Sequence, residues 1–175
     1  FTSSMTGLSP GTLYHYRAYA TNTAGTVYGS DQTFTTSVAA PTATTNATSG
    51  ITASGATLNG TVNANGASTT VTFEYGLTTA YGTTVSADQS PVTGTSDTAV
   101  NKALTSLAPN TTYHYRVVGV NAAGTTNGAD ATFATSTAVP TATTDAATSV
   151  GSSGATLNGT VNANNASTTV TFEYG

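Results

Sequence analysis

The chain has 175 residues and a formal net charge of -4, and charged residues make up only 6% of it. It contains no cysteine, which excludes disulfides, thiol catalysis and cysteine-ligated metals. Its three Lys and Arg residues cannot build the basic surface that electrostatic binding of nucleic acid requires. No apolar run approaches the ~18 residues of a membrane span, so no membrane-spanning segment is expected in this part of the protein.

The sequence repeats itself with an offset of 99 residues. The segment SGATLNGTVNAN occupies 54–65 and recurs at 153–164, and ASTTVTFEYG occupies 67–76 and recurs at 166–175. A period of this length is too long for one coil of a solenoid, so each unit is expected to hold its own core. The repeats therefore predict a tandem array of independent modules.

The array is divided unevenly along the chain. Residues 1–38 match the C-terminal part of a first module, 39–137 form one complete module, and 138–175 match the N-terminal part of a third. Because Phe1 falls inside an expected strand, we interpret the chain as a piece of a longer polypeptide. Two explanations of the partial modules stay open: the chain is a segment of a longer array, or another chain completes them by strand exchange.

Hydrophobic and polar residues alternate with the period of a β-strand. Threonine accounts for 43 of the 175 residues, and its β-branched side chain disfavours helices. Alternation with period two predicts strands with one packed and one solvated face. In chain order, the complete module is predicted to have strands at 42–48, 55–62, 69–75, 83–87, 97–105, 112–120 and 130–135. Seven short strands separated by turns predict an all-β fold, an antiparallel two-sheet sandwich.

One motif makes the fold more specific. It reads Leu107-x-Pro109-x-Thr111-x-Tyr113-x-Tyr115-Arg116-Val117, followed by Asn121 and Gly124, and it recurs as Leu8, Pro10, Thr12, Tyr14, Tyr16, Arg17, Asn22 and Gly25. It resembles the strand E–F region of fibronectin type III domains, which have an immunoglobulin-like sandwich, and points to tandem bacterial modules of this kind. The resemblance implies that Tyr113 and Tyr14 are tyrosine-corner residues, whose hydroxyl groups bond the backbone a few residues upstream. It also implies that Phe133-x-Thr135 and Phe34-x-Thr36 close the last strand.

The motif departs from the family at the second strand, where a tryptophan is common. Gly60 and Val62 stand in that region. The expected core therefore centres on aromatic and leucine side chains elsewhere: Leu58, Phe73, Tyr75, Leu107, Tyr113, Tyr115 and Phe133.

Few residues are candidates for catalysis. His15 and His114 each lie between two tyrosines that are expected to face inward, so both histidines are expected to point outward. A general base needs an orienting partner and a pocket, and no motif supplies them. Glu74 and Glu173 alternate with aromatic residues and are expected to face water. We predict that the chain is not an enzyme and holds no cofactor.

The acidic residues do not form a calcium-binding pattern. The five aspartates are scattered, without the closely spaced run of a calcium loop: Asp31, Asp88, Asp97, Asp130 and Asp145. No metal site is therefore predicted. A single ion between modules, bound by Asp145 or another loop aspartate with backbone carbonyl groups, stays open as an alternative.

The two copies of one hairpin differ at two positions that are aromatic in the first copy. Tyr19 and Tyr28 correspond to Val118 and Asn127 one repeat later. If both tyrosines face outward, they form a platform on which a sugar ring can stack. The alternative is an ordinary cross-strand pair that stabilises the sheet. They are the weak candidate ligand-binding residues of the chain.

The surface predicts a structural role. Outward strand faces consist largely of threonine, so the sandwich is expected to hold together without salt bridges. Sheet edges have few cations to block pairing, which predicts self-association of neighbouring modules or chains. Stretches Ser37–Ser49 and Ser136–Ser149 are each expected to combine a short extended linker with the first strand of a module.

These features favour an extracellular or cell-surface bacterial protein in which the modules form a stalk, an adhesin shaft or a filament subunit. The alternative function is an accessory module of a secreted protein that binds carbohydrate or protein. Sequence differences between modules distinguish these two functions, since the modules of a binding protein are expected to differ at exposed aromatic residues.

Overall fold

The computed structural model of the protein describes all residues from Phe1 to Gly175. It consists of β-strands and connections, and no helix is long and apolar enough to cross a lipid bilayer. The strands in chain order are β1 (Leu13–Tyr16), β2 (Tyr19–Asn22), β3 (Gly25–Tyr28), β4 (Gln32–Thr35), β5 (Thr42–Ser49), β6 (Ala56–Asn63), β7 (Thr70–Gly76), β8 (Thr83–Ser86), β9 (Asp97–Leu104), β10 (Thr112–Asn121), β11 (Gly124–Asn127), β12 (Ala131–Ala134), β13 (Thr141–Thr148) and β14 (Thr156–Asn162).

Strands β5 to β12 form a sandwich of two antiparallel sheets, which confirms the predicted fold class. One sheet has the order β5-β6-β9. The other has the order β11-β10-β7-β8, and β12 also pairs with β10. The long strand β10 therefore pairs with β7 on one side and with β11 and β12, one after the other, on the other side.

Alternation along β6 shows why the sequence folds into this arrangement. Ala56, Leu58, Gly60 and Val62 are buried, and the threonine and asparagine residues between them are half-buried. The strand lies between β5 and β9, so both of its edges are hydrogen-bonded. A period-two sequence thus gives one face to the core and leaves the other to polar side chains.

The core lies between the two sheets. Six of the seven side chains predicted for it are buried in one apolar cluster: Leu58, Phe73, Leu107, Tyr113, Tyr115 and Phe133. The seventh, Tyr75, is only half-buried, so its predicted place at the centre was wrong. It lies one residue before the end of β7, where the sandwich opens to solvent. Four valines outside the predicted set are almost inaccessible to solvent: Val62, Val71, Val100 and Val117.

Both tyrosine corners are present, as the resemblance implies. The hydroxyl oxygen of Tyr113 accepts a hydrogen bond from the backbone N–H of Ala108 at 3.0 Å. That of Tyr14 accepts the equivalent bond from the N–H of Ser9 at 2.9 Å. The hydroxyl of Thr135 donates to the carbonyl oxygen of Ala108 at 2.7 Å. The turn before β10 is therefore fixed to the body of the sandwich by side chains.

Close packing explains the missing tryptophan. A Cβ atom added to Gly60 would lie 3.1 Å from Cβ of Val117 and 3.2 Å from the carbonyl oxygen of Thr44. The strand lies so near its neighbours at this point that even a methyl group would require them to shift, and a tryptophan side chain has no room. The core volume is instead filled by Leu58 and Tyr115, whose hydroxyl donates to the carbonyl oxygen of Asn46 at 2.6 Å.

The strand boundaries differ from the prediction in one respect. Seven strands were expected in the complete module, and eight are present, because a further short strand, β11, lies between β10 and β12. The predicted strand at 130–135 corresponds to β12 alone, and β11 at Gly124–Asn127 was missed. Polar and small residues fill β11, so it lacks the apolar alternation that predicts a strand.

The stretches between modules combine a link and a strand, as predicted. Strand β5 begins at Thr42 and β13 begins at Thr141. Residues 37–41 and 136–140 precede them as connections outside any strand.

The outer parts of the chain repeat pairings of the centre. Strands β13 and β14 pair with the register of β5 and β6, so that Thr141 faces Asn162 as Thr42 faces Asn63. Strands β1 and β4 likewise repeat the pairing of β10 with β12. The module boundaries at 1–38, 39–137 and 138–175 stay predictions.

Two identical segments of this chain differ in strand pairing. Residues 67–76 and 166–175 are the same ten residues, yet the first copy contains β7 and the second contains no strand. Strand β7 is hydrogen-bonded to β10 and β8. The second copy is paired with no strand, so the two copies differ in their hydrogen-bonded neighbours.

Candidate functional site

The two tyrosines predicted as a candidate platform do face outward. Tyr19 on β2 lies directly opposite Tyr28 on β3 in the antiparallel register. Their ring centroids are 5.9 Å apart with an interplanar angle of 40°. The residues are 68% and 55% exposed. The geometry thus meets the condition for a stacking surface, and it is also that of a cross-strand aromatic pair.

An arginine completes this surface. The guanidinium group of Arg17 lies over the ring of Tyr28, 4.2 Å from its centroid. Two positions further along the hairpin, the hydroxyl groups of Thr21 and Thr26 are 2.8 Å apart. We call Arg17, Tyr19 and Tyr28 the tyrosine platform. The guanidinium group covers one face of the Tyr28 ring, so the platform offers the exposed ring of Tyr19 and the N–H donors of Arg17 side by side.

The complete module arranges the equivalent surface differently. Val118 and Asn127 occupy the positions of the two tyrosines and are paired in the same register. The guanidinium group of Arg116 lies 4.7 Å from the ring centroid of Tyr81, in the connection between β7 and β8. Its Nε donates to Glu74 Oε2 at 2.7 Å. The arginine is therefore satisfied within the module and no aromatic pair is exposed beside it.

Both histidines have an acidic partner that the local sequence patterns did not predict. His114 Nδ1 lies 2.9 Å from Asp130 Oδ2, and His15 Nδ1 lies 2.7 Å from Asp31 Oδ2. The partners are sixteen residues apart in the chain, but antiparallel pairing of β10 with β12 and of β1 with β4 brings them together. The recurrence of His and Asp at this spacing in both copies was the available signal.

A small network surrounds the carboxylate of Asp130. The hydroxyl of Tyr81 donates to Asp130 Oδ1 at 3.0 Å. The pKa of Asp130 lies below its ordinary value, chiefly because His114 hydrogen-bonds the carboxylate. The pKa of Tyr81 is raised, first by partial burial and then by its hydrogen bond to Asp130. These groups satisfy one another on the sheet surface. That His114 is not catalytic stays a prediction.

Two ion pairs are present that the composition did not predict. Lys102 Nζ lies 2.6 Å from Asp88 Oδ1, and the Arg116–Glu74 pair described above links β10 with β7. Each pair joins neighbouring segments of the fold that are distant in sequence, which is why composition alone did not predict them. Each pair is also partly exposed, so its contribution to stability is small, about 0–1 kcal/mol.

The aspartates do not converge. No group of three or more His, Asp or Glu side chains is close enough to hold a metal ion. Asp97 accepts a hydrogen bond from Asn63 at 3.2 Å, and Asp145 accepts one from Thr160 at 3.2 Å. Glu173 is exposed, whereas Glu74 pairs with an arginine rather than facing water alone.

Comparisons with known proteins find similar folds. No protein-family model and no curated protein sequence matches the chain. Among solved structures, a short form of the sensor domain of the anti-sigma factor RsgI4 from Pseudobacteroides cellulosolvens is 23% identical, over 57% of this chain and 98% of that one, with a TM-score of 0.40. Domains d3–d4 of the rat CD45 extracellular region are 19% identical, over 77% and 70%, with a TM-score of 0.49.

Domains FN1–FN3 of chicken CNTN1 are 17% identical, over 74% of this chain and 44% of that one, with a TM-score of 0.39. At these identities the similarity concerns the fold alone. The order of strands in the two sheets gives the class directly: an all-β, fibronectin type III-like and immunoglobulin-like sandwich.

Proposed function

We propose that the chain is a structural repeat segment of an extracellular bacterial protein, in which tandem fibronectin type III-like modules act as a stalk, an adhesin shaft or a filament subunit. One observation carries this proposal: strand pairings and tyrosine corners recur at the repeat offset with the same register. A chain built by repeating one self-contained sandwich gains length with every copy. Length is the property that a stalk supplies.

The surface supports the same role. Whereas the edge strand β9 contains Asp97 and Lys102, two edge strands, β5 and β8, contain no charged residue and consist mainly of threonine and serine. Such edges are weakly guarded against pairing with another strand. This favours lateral contact with neighbouring modules or chains, as a filament requires. Analytical ultracentrifugation and electron microscopy of concentrated protein test this part, and protein that stays monodisperse without filaments contradicts it.

The stalk proposal is tested by lengthening the chain. We would insert one or two further copies of residues 39–137 after Thr137 and measure the maximum dimension by small-angle X-ray scattering. Each copy is expected to add roughly 30 Å or more, because a strand of ten residues such as β10 spans about that distance. If the inserted copies do not increase the maximum dimension, the proposed spacer function is contradicted. Labelling intact source cells with an antibody to this module tests the surface location.

The tyrosine platform supports a second function, a carbohydrate-binding accessory module. Affinity electrophoresis through gels containing cell-surface polysaccharides is the direct assay. The chain is expected to be retarded, and Tyr19→Ala/Tyr28→Ala is expected to remove the retardation. The matched control is Thr21→Ala/Thr26→Ala, which alters the cross-strand pair two positions further along the same hairpin. Equal migration of all variants in every gel contradicts carbohydrate binding by this surface.

A further inference from the structure

Successive modules touch through the same two loops. The corner loop Pro109–Thr111, which leads into β10, lies against Asn165 in the turn after β14. The side-chain amide of Asn110 donates to the carbonyl oxygen of Asn165 at 2.6 Å. The amide of Asn165 donates back to the carbonyl oxygen of Pro109 at 3.2 Å and to Thr111 Oγ1 at 3.4 Å. Two asparagines thus bridge the complete module and the one that follows.

The equivalent contact occurs one repeat earlier, with glycine at both positions. Gly11 and Gly66 stand where Asn110 and Asn165 stand. A Cβ atom on Gly66 would lie 3.0 Å from the carbonyl oxygen of Pro10. All four residues have left-handed φ angles, +61° and +83° for the glycines and +48° and +58° for the asparagines. The two joints therefore share one backbone geometry and differ in their side chains.

The link between modules is held on both sides. Carbonyl groups of residues 37–41 accept hydrogen bonds from the preceding module and from the following one. The bonds are Gly11 N to Ser37 O at 3.3 Å, Asn121 Nδ2 to Ala39 O at 2.8 Å, Asn65 Nδ2 to Ala40 O at 2.6 Å and Thr126 Oγ1 to Pro41 O at 2.6 Å. At the second joint, Asn110 N donates to Ser136 O at 3.0 Å and Asn164 Nδ2 to Val139 O at 2.6 Å. A link bonded in this way does not behave as a free tether.

We propose that the corner loop and the turn after the second strand of the next module form a recognition surface between modules, and that the residue pair at 110 and 165 sets the stiffness of the joint. An asparagine pair clamps the joint by bonds in both directions. A glycine pair keeps the close backbone approach without the clamp, so its joint bends more. The partner of this surface is the next module of the same chain. The inference rests on the proposed spacer function, because stiffness matters only if the modules act as a rod.

The two asparagines contribute to the clamp independently. The amide of Asn110 donates to the backbone carbonyl oxygen of residue 165, and the amide of Asn165 donates to the carbonyl oxygen of Pro109 and to Thr111 Oγ1. A joint with one asparagine would therefore keep part of the clamp. At the glycine joint, a Cβ atom on residue 66 would lie 3.0 Å from the carbonyl oxygen of Pro10, so an asparagine there requires a small shift of its neighbours.

Spin-label distance measurements test the clamp in the full chain. The chain has no cysteine, so introduced cysteines are labelled selectively. Labels on Ala103→Cys in β9 and Thr143→Cys in β13 report across the asparagine joint, and both residues are exposed. We expect a distance distribution a few ångströms wide. In Asn110→Gly/Asn165→Gly it should broaden, with the ~12 Å end-to-end spread of a free five-residue link as the upper limit, because the backbone bonds of the link remain. Glycine keeps the left-handed backbone, so only the clamp is lost.

Two comparisons make the result specific. Ser106→Gly also replaces a left-handed residue, with φ +59°, in the approach to the same loop, and its distribution should stay narrow. Labels on Thr33→Cys and Ala103→Cys report across the glycine joint and should give a broader distribution than the asparagine joint. There, Gly66→Asn should shift the mean distance. Circular dichroism melting of each variant identifies any loss of fold.

The outcomes separate this inference from the proposed function. A wild-type distribution as broad as that of the double glycine variant, or a folded double variant as narrow as wild type, overturns the clamp. If such a chain still lengthens with each inserted module, the spacer function stands with flexible joints. If the joints are stiff but inserted modules do not lengthen the particle, the spacer function fails instead.

Discussion

Tyr113→Phe is expected to destabilise the complete module without disturbing its aromatic packing. Tyr113 is only 8% exposed, and its ring stacks on Phe133 with centroids 5.5 Å apart, a contact that phenylalanine keeps. What is lost is the hydroxyl that accepts the N–H of Ala108, which then has no protein partner. Leaving a partly buried donor unpaired costs about 1–2 kcal/mol. For a module of this size, that corresponds to a melting temperature lower by roughly 5–15 °C.

The chain contains its own control for this prediction. Tyr14→Phe removes the same bond from Ser9, but that bond is exposed, and water can replace the lost acceptor. Differential scanning calorimetry of both variants should therefore show a clear shift for Tyr113→Phe and little for Tyr14→Phe. If the melting temperature of Tyr113→Phe stays within one degree of wild type, or the two variants shift equally, the corner bond does not stabilise the module as argued.

Three further outcomes are expected. Gly60→Ala places Cβ 3.1 Å from Val117, and such overpacking should cost about 1–3 kcal/mol, measured from the urea midpoint. Because the pKa of Asp130 is lowered from 3.8, its ionised form stabilises the fold above that pH, and this contribution is lost as the pH falls through the lower folded pKa. Asp130→Asn should therefore flatten the fall of the urea midpoint between about pH 5 and 2; an unchanged profile contradicts this. Because the ion pairs are partly exposed, the melting temperature should change by no more than a few degrees between low and molar NaCl.

The fold could be predicted because each of its determinants is local. Alternation in β6 and β10 assigns one face of each strand to the core, and the Leu-x-Pro-x-Thr-x-Tyr motif marks the corner before β10. The predicted aromatic core is correct except at Tyr75. The error there is one of position along the strand, since alternation gives the face of a residue but not its distance from the rim of the sandwich.

The side-chain pairs could not be predicted from local patterns. His114 meets Asp130, and Arg116 meets Glu74, only because antiparallel strands bring residues far apart in the chain to one sheet surface. The residues 166–175 make the same point in reverse, since an identical copy forms β7 where partners exist. The outward orientation of Tyr19 and Tyr28, by contrast, follows from strand register, and sequence comparison of the two copies had already singled them out.

The repetition of one joint has a geometric consequence for any longer array. A fixed rotation and translation applied again and again generates a screw, so modules connected by identical asparagine joints would wind into a regular superhelix. At each glycine joint, which bends more, the superhelix would lose its regular rotation between modules. The order of asparagine and glycine joints along the polypeptide would thereby determine the curvature of the array.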